Sequence, residues 1–344
     1  MKSFLISLVT ALVFHNIHAQ DTQKISKLLE EKKNDFAGHV IMVIKKEDSL
    51  LYRYQTGLAH IDTRTGVASA SKWISSAVIL SLADIGLLSL DDSIGKYLPS
   101  FNKYKKGHPT IRQCLSHTSG FPAYANIDTK NLNLSQLIEK VAKEVPLKNK
   151  PGEVFEYGEL SYRITGRIAE VVSGKSWEEL FQNNIAARCD MKNSTYCWEK
   201  HIPAMGSGVC TTPSDYLNFM QMVINKGMFN GQRVLSEAAV HEFFISQLSS
   251  NVQKNLTNSE PLIKEVANNK PVSYGLGTWI YNYDEEKIFQ KEIFCPGARG
   301  TFPFIDACRK IYGIILCNTD VSKVIHTEIN AIQTFKSTFL ENCN

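Results

Sequence analysis

Ser69-Ala70-Ser71-Lys72 pairs a hydroxyl with an amine three residues apart. A serine hydroxyl is a weak nucleophile until a base takes its proton, and a desolvated lysine can be that base. The pair opens an apolar stretch in which Trp73, Ile74, Ala77, Val78, Leu82 and Ile85 recur at three- and four-residue steps, with Gly86 at the place of a C-terminal cap. In a helix, Ser69 and Lys72 share one face. A helix N-terminus also favours the negative charge that develops when serine attacks a carbonyl. The same four-residue pattern occurs at Ser93–Lys96 and Ser100–Lys103. The first has Gly95 inside it and Pro99 just after, and the second follows that proline in a lysine-rich loop, so neither holds its pair rigidly. The bland alternative for Ser69 is a cap on a buried helix.

The elements that must position this pair are legible in outline. Residues 22–35 read as a short amphipathic helix, with Ile25, Leu28 and Leu29 on one face. Val40–Ile44 and Leu50–Tyr54 read as a hairpin of strands. Helices are expected over 111–115, 134–145, 160–172, 177–187 and 236–246. Another starts at Thr212-Pro213-Ser214-Asp215, a cap followed by a first-turn proline, and runs to about Asn225. Strand signals return over 274–283, 288–294, 301–305 and 311–317, and a helix from Lys323 to about Leu340 closes the chain. Strands at both ends and helices in the middle imply an α+β fold. Its centre is one antiparallel sheet from the N- and C-terminal segments, flanked by helices, with a large helical insertion over about 90–270 and the active site in the cleft between them. Gly275-Leu276-Gly277 is half a dinucleotide fingerprint with no helix after it, and reads as strand glycine.

The chain has 344 residues and a formal net charge of +4, with lysines and acids mixed throughout. That charge pattern gives no reason to expect a nucleic-acid partner. Residues 1–19 have the form of a signal peptide: Lys2, an apolar core from Phe4 to Phe14, and Ile17-His18-Ala19 before Gln20. The apolar run is short for a membrane span. The expectation is an exported protein, periplasmic or secreted, without stable membrane insertion, whose residues 20–344 form one domain. Eight cysteines show no metal-ligand spacing. Cys189 and Cys197 are near enough in sequence to pair, while Cys317 ends an apolar run and reads as a buried free thiol.

Several motifs then recur in a telling order: the Ser69–Lys72 helix, Leu115-Ser116-His117-Thr118-Ser119-Gly120-Phe121, Pro151-Gly152 leading to Phe155-Glu156-Tyr157-Gly158-Glu159, and Gly166-Arg167-Ile168-Ala169-Glu170 with Val172-Ser173-Gly174-Lys175. Together they resemble the class C β-lactamase superfamily of penicillin-recognising serine hydrolases, over roughly residues 36–320. That superfamily includes β-lactamases, D-alanyl-D-alanine carboxypeptidases, D-amino-acid peptidases and esterases. The resemblance implies the β-lactamase/transpeptidase-like fold and makes Ser69 the nucleophile. It matches Tyr157 to the tyrosine of the Y-x-N motif, a general base that shares the serine's proton with Lys72. It assigns His117 to a structural turn and not to a catalytic triad. No cofactor and no metal are implied.

Two departures bear on the substrate. Glu159 stands where the motif has asparagine; a carboxylate there raises the pKa of Lys72 or suits substrates bearing an amine. The usual Lys-Thr-Gly or His-x-Gly motif is missing, and Cys295-Pro296-Gly297-Ala298-Arg299-Gly300 is its best counterpart. Its backbone reads as a sheet edge, with the Ala298 and Ser69 N–H groups as oxyanion donors. Arg299 is the available substitute for the missing cation, and Cys295 reads as a packing thiol. The expected activity is cleavage of a small-molecule or peptide ester or amide, of esterase or D-amino-acid/cell-wall peptidase type, with weak or no β-lactamase activity. The alternatives are a true class C-like β-lactamase and a catalytically lapsed binding protein that keeps the cleft.

Overall fold

Two apolar runs from opposite ends of the chain lie side by side in one sheet. In the computed structural model, which describes residues 22–198, 201–257 and 271–339, strand β1 (Val40–Lys46) pairs antiparallel with Ile311–Leu316, with Ile41 opposite Leu316 and Lys46 opposite Ile311. The sheet also contains β2 (Ser49–Thr56), β3 (Val272–Tyr274), β4 (Trp279–Tyr281), β5 (Glu292–Phe294) and β6 (Thr301–Asp306); the 311–316 strand is β7. The order is β3-β4-β5-β6-β7-β1-β2, and every neighbouring pair is antiparallel.

Burial on both faces explains why β1 reads as an unbroken apolar run and not as an alternating one. Ile41 and Val43 join the core shared with the helices of the middle segment. Val40, Met42 and Ile44 point the other way, into a second core with Ile25 and Leu29 and with Val324, Ile325, Ile332 and Phe335 of the C-terminal helix Val321–Phe339. This is the two-residue side-chain period of a strand applied to two cores at once. The Ser71–Asp84 helix lies within the first core, and its residues 71 to 82 are all buried. A helix apolar on every side belongs in such a place. It starts two residues later than its sequence suggests, because Ala68–Ala70 forms a 3-10 turn before it.

The middle segment departs from the expectation in informative ways. It is not purely helical. Thr65–Gly66, Val209–Thr211 and Thr195–Tyr196 form a three-stranded sheet, and Val154–Glu156 pairs with Gln253–Asn255 in parallel. The helix begun at Trp177 changes at Gln182 into a π-helical turn and ends in a 3-10 turn at Cys189. The helix expected over 236–246 is only Glu237–His241. The expected strand 274–283 is two strands, β3 and β4, and the 288–294 strand is reduced to Glu292–Phe294. Gly275-Leu276-Gly277 is therefore turn and not strand. Gly277 has φ +82°, and a Cβ there would fall 2.6 Å from the Lys72 carbonyl oxygen. The expected cap of the helix Pro213–Ile224 is present, since the Thr212 side chain accepts from the Asp215 N–H. Residues 1–19, the expected signal peptide, lie outside the described residues. Among the described residues, no helix is long and apolar enough to cross a membrane.

Candidate active site

Ser69 sits in the 3-10 turn that leads into the buried helix, and Lys72 follows on the first turn. Lys72 Nζ lies 3.4 Å from Ser69 Oγ and donates at 2.9 Å to the Gly206 carbonyl. The Tyr157 hydroxyl is hydrogen-bonded to the Ser69 side chain. Lys72 Nζ also lies over the Tyr157 ring, 4.6 Å from its centroid, and 5.6 Å from that of Tyr162. The three residues singled out from the sequence thus converge, although Tyr157 comes from the end of a distant three-residue strand, Val154–Glu156.

Burial sets the electrostatics. Lys72 is 2% exposed. Its burial pushes the amine below the usual lysine range, while the Glu159 carboxylate pushes it back up. Burial also drives the Tyr157 phenol well above its ordinary value, against a smaller lowering by the Ser69 hydrogen bond. Burial thus opposes charge on both groups, on the amine as an ammonium and on the phenol as a phenolate.

Glu159 is buried, and its Oε1 accepts from the Gly206 N–H at 2.9 Å, with Arg163 Nε 3.7 Å away. The carboxylate is engaged by the protein's own groups. It holds the Gly206 segment and biases Lys72, which is a different task from receiving a substrate amine. Tyr124, on the loop whose Ala123 carbonyl accepts from the Glu159 N–H at 2.8 Å, is 63% exposed.

Of the segment Cys295-Pro296-Gly297-Ala298, Cys295 and Gly297 approach the turn that carries Ser69. Cys295 Sγ–H donates to the Ser69 carbonyl at 3.3 Å, and a Cβ at Gly297 would fall 2.0 Å from the Val67 carbonyl oxygen. Only glycine permits that approach. The segment is not a plain sheet edge. The Gly297 N–H donates to the Thr301 carbonyl at 2.8 Å and the Gly300 N–H to the Gly297 carbonyl at 3.0 Å, so Ala298-Arg299-Gly300 is the tight turn between β5 and β6. Ala298 is exposed there, and its carbonyl accepts from the Val321 N–H at 3.0 Å. Burial pushes the Cys295 thiol up to about 12, so it is a packing thiol. The Arg299 guanidinium lies 4.3 Å above the Trp198 ring.

Sequence reasoning missed the segment Ala204–Val209. Ser71 Oγ accepts from the Val209 N–H at 3.0 Å, Ser75 Oγ donates to the Met205 carbonyl, and Lys72 holds Gly206 between them. One face of the Ser71–Asp84 helix thus grips a loop from far along the chain. Cys197–Cys210 is a disulfide that closes this loop, so Cys197 does not pair with Cys189, which is a buried free thiol. Cys308 is also disulfide-bonded, whereas Cys114, Cys295 and Cys317 are buried and free. Among the described residues no group of three or more His, Cys, Asp or Glu side chains is placed to hold a metal ion.

A family model described as β-lactamase matches residues 22–333. The chain belongs to the β-lactamase family. Within that family, a Bacteroides dorei DSM 17855 protein described only as a candidate β-lactamase is similar in structure, with a TM-score of 0.82, 29% identity, and coverage of 92% of this chain and 98% of that one. Protein flp of Staphylococcus aureus (strain MW2) is 29% identical over 189 residues, 51% of this chain and 38% of flp, so the match spans well under half of that relative. Penicillin-binding protein 4 of Amycolatopsis lactamdurans is 25% identical over 234 residues, 56% of this chain and 61% of that protein. EstCE1, a hydrolase with promiscuous acyltransferase activity, shares the fold at a TM-score of 0.72 and 16% identity, over 94% of this chain and 99% of its own. β-Lactamase-fold proteins of this kind are generally serine hydrolases acting on small-molecule or peptide substrates.

Proposed function

We propose that the chain is an exported serine hydrolase that forms an acyl-enzyme on Ser69, with Lys72 and Tyr157 as acid and base. The observation that carries the reading is the meeting of Lys72 Nζ and the Tyr157 hydroxyl at Ser69 Oγ. Ser69 Oγ attacks an ester or amide carbonyl carbon while its proton passes to the Lys72 amine. The oxyanion faces the N–H groups of Ser69 and Ala298. Tyr157 gives its proton to the leaving oxygen or nitrogen as that bond breaks, and Lys72 reprotonates the phenol. Water then attacks the acyl group, the same two side chains carry its proton back to Ser69 Oγ, and the free acid leaves. No step requires a cofactor.

The preferred substrates are esters, or amides of D-amino-acid and cell-wall type, over β-lactams. Two features support this preference. Glu159, in the place of an amide, is occupied by Gly206 and offers a substrate amide no donor. The Cys295–Gly300 turn carries no lysine or histidine, and its cation, Arg299, stacks on Trp198. The signal-peptide pattern of residues 1–19 supports export to the periplasm or beyond.

The test is hydrolysis of a short chromogenic ester beside a chromogenic cephalosporin, with S69A as control. Ester turnover that vanishes in S69A is the expected result. Comparable cephalosporin turnover would overturn the substrate preference and leave a true β-lactamase. If a fluorophosphonate fails to label Ser69 in folded protein, the hydrolase reading falls in favour of a binding protein that keeps the cleft.

A further inference from the structure

His117 is a buried titratable group beside Tyr157 that this chemistry leaves unused, and its placement is specific. Its backbone has φ +61°, a conformation that residues with a Cβ seldom adopt. The turn sets the His117 carbonyl to accept from the Glu156 N–H at 2.8 Å. It also sets the imidazole Nδ1 to accept from the Gly158 N–H at 3.4 Å. Residues 156 and 158 flank Tyr157, so one residue holds the backbone on both sides of the phenol. The imidazole itself lies against the Tyr157 ring, 4.6 Å between centroids at an angle of 50°. Phe155, Tyr162 and Tyr274 surround it at 5.8, 5.3 and 5.1 Å.

This geometry fixes the chemical state of the ring. An Nδ1 that accepts a hydrogen bond leaves the single proton of a neutral imidazole on Nε2. Nε2 meets no hydrogen-bond partner among the described residues. Burial first, and Lys72 second, push the imidazole well below its ordinary value. The titratable groups against it are Lys72 from the Ser71–Asp84 helix and the phenols of Tyr157, Tyr162 and Tyr274; none of them favours a positive charge there. A triad role is excluded by the same contacts, because Nδ1 is committed to the backbone.

We propose that His117 is a positioning residue: a neutral, Nε2-protonated imidazole that brackets residues 156–158 and fixes the Tyr157 phenol against Ser69. The proposal rests on the Ser69–Lys72–Tyr157 reading. It goes beyond a structural turn, which accounts for the carbonyl bond but not for the ring nitrogen or the ring contact.

Two substitutions separate its parts. H117F keeps an aromatic ring and removes the acceptor for the Gly158 N–H. H117N restores an acceptor and removes the ring. A displaced acid/base group costs kcat more than KM, so H117F is expected to lose at least about tenfold in ester kcat with KM within about twofold, and H117N to recover part of the loss. In wild-type protein, 15N NMR of the imidazole is expected to show a neutral ring protonated at Nε2 between pH 5 and 8. An H117F enzyme with wild-type kcat, or a wild-type ring protonated at Nδ1 or charged at pH 7, overturns the proposal and leaves the Ser69 mechanism standing. If H117F does not fold, H117N and the NMR measurement decide. Absence of fluorophosphonate labelling at Ser69 in wild-type protein overturns the mechanism and the His117 role with it.

Discussion

Lys72 and Gly206 meet at the centre of the site although 134 residues separate them: Lys72 Nζ donates to the Gly206 carbonyl at 2.9 Å. The approach is so close that a Cβ at Gly206 would fall 3.0 Å from Lys72 Nζ and 2.4 Å from Glu159 Oε2. A methyl group there must displace the amine or the carboxylate. G206A is expected to lower kcat/KM for the ester by about tenfold to a hundredfold, the usual effect of moving a reacting group by a fraction of an ångström to an ångström. Thermal unfolding should move little in comparison. Steady-state kinetics beside a melting curve checks this, and wild-type kcat/KM in G206A would mean that the Gly206 contact does not orient Lys72.

Glu159 tunes the same amine from the other side. Its charge raises the Lys72 pKa against the lowering by burial. Removing the charge while keeping the acceptor, as in E159Q, therefore lowers the Lys72 pKa further. The deprotonated amine is the active form in the proposed mechanism, so activity rises with pH through this pKa. The acid limb of the kcat/KM profile should shift to lower pH in E159Q. A limb that stays in place, or moves to higher pH, would break the link between the carboxylate and the base.

The Cys197–Cys210 bond closes the loop that carries Gly206, and Cys210 pairs with Gly66 in the strand just ahead of Ser69. Opening the bond frees the loop in the unfolded chain and slackens it in the folded one. A loop of this size is worth about 3 kcal/mol in the chain-entropy account. Reduced protein, or the C197S/C210S double variant, should melt at lower temperature and lose ester activity, and reoxidation should restore both in the reduced sample. Full activity after complete reduction would show that secondary structure alone holds the loop.

The sequence revealed the parts of the site that lie within one element and concealed those that bridge elements. Ser69 and Lys72 are three residues apart, so helix periodicity alone joined them, and the ordered motifs added Tyr157. The central sheet was legible because Val40–Ile44 and Ile311–Leu316 are apolar runs buried on both faces. Gly206 left no comparable signal. Its neighbours Ser71, Lys72 and Ser75 look like ordinary residues of a buried helix until the loop is docked upon them. The disulfide was obscured for the same reason, because proximity in sequence favoured Cys189 over Cys210. The Cys295–Gly300 segment read as a sheet edge because the turn at Ala298–Gly300 depends on bonds to Thr301 and Val321.

Glu328 is a buried carboxylate outside the site, and it makes stability depend on pH. It lies on the C-terminal helix, fully buried, and neither oxygen has a hydrogen-bond partner among the described residues. Burial raises its pKa from 4.5 to about 8. A folded-state pKa above the unfolded value means that the native protein binds the proton more tightly. The stabilisation is fully present below about pH 4.5 and is lost as pH rises through about 8. Across that window the loss attributable to this one group is on the order of 4 kcal/mol. E328Q cannot ionise, so its stability in urea should fall less between pH 5 and pH 8 than that of the wild type. Parallel curves for the two proteins across that range would show that Glu328 is paired or hydrated in solution and does not govern the pH dependence.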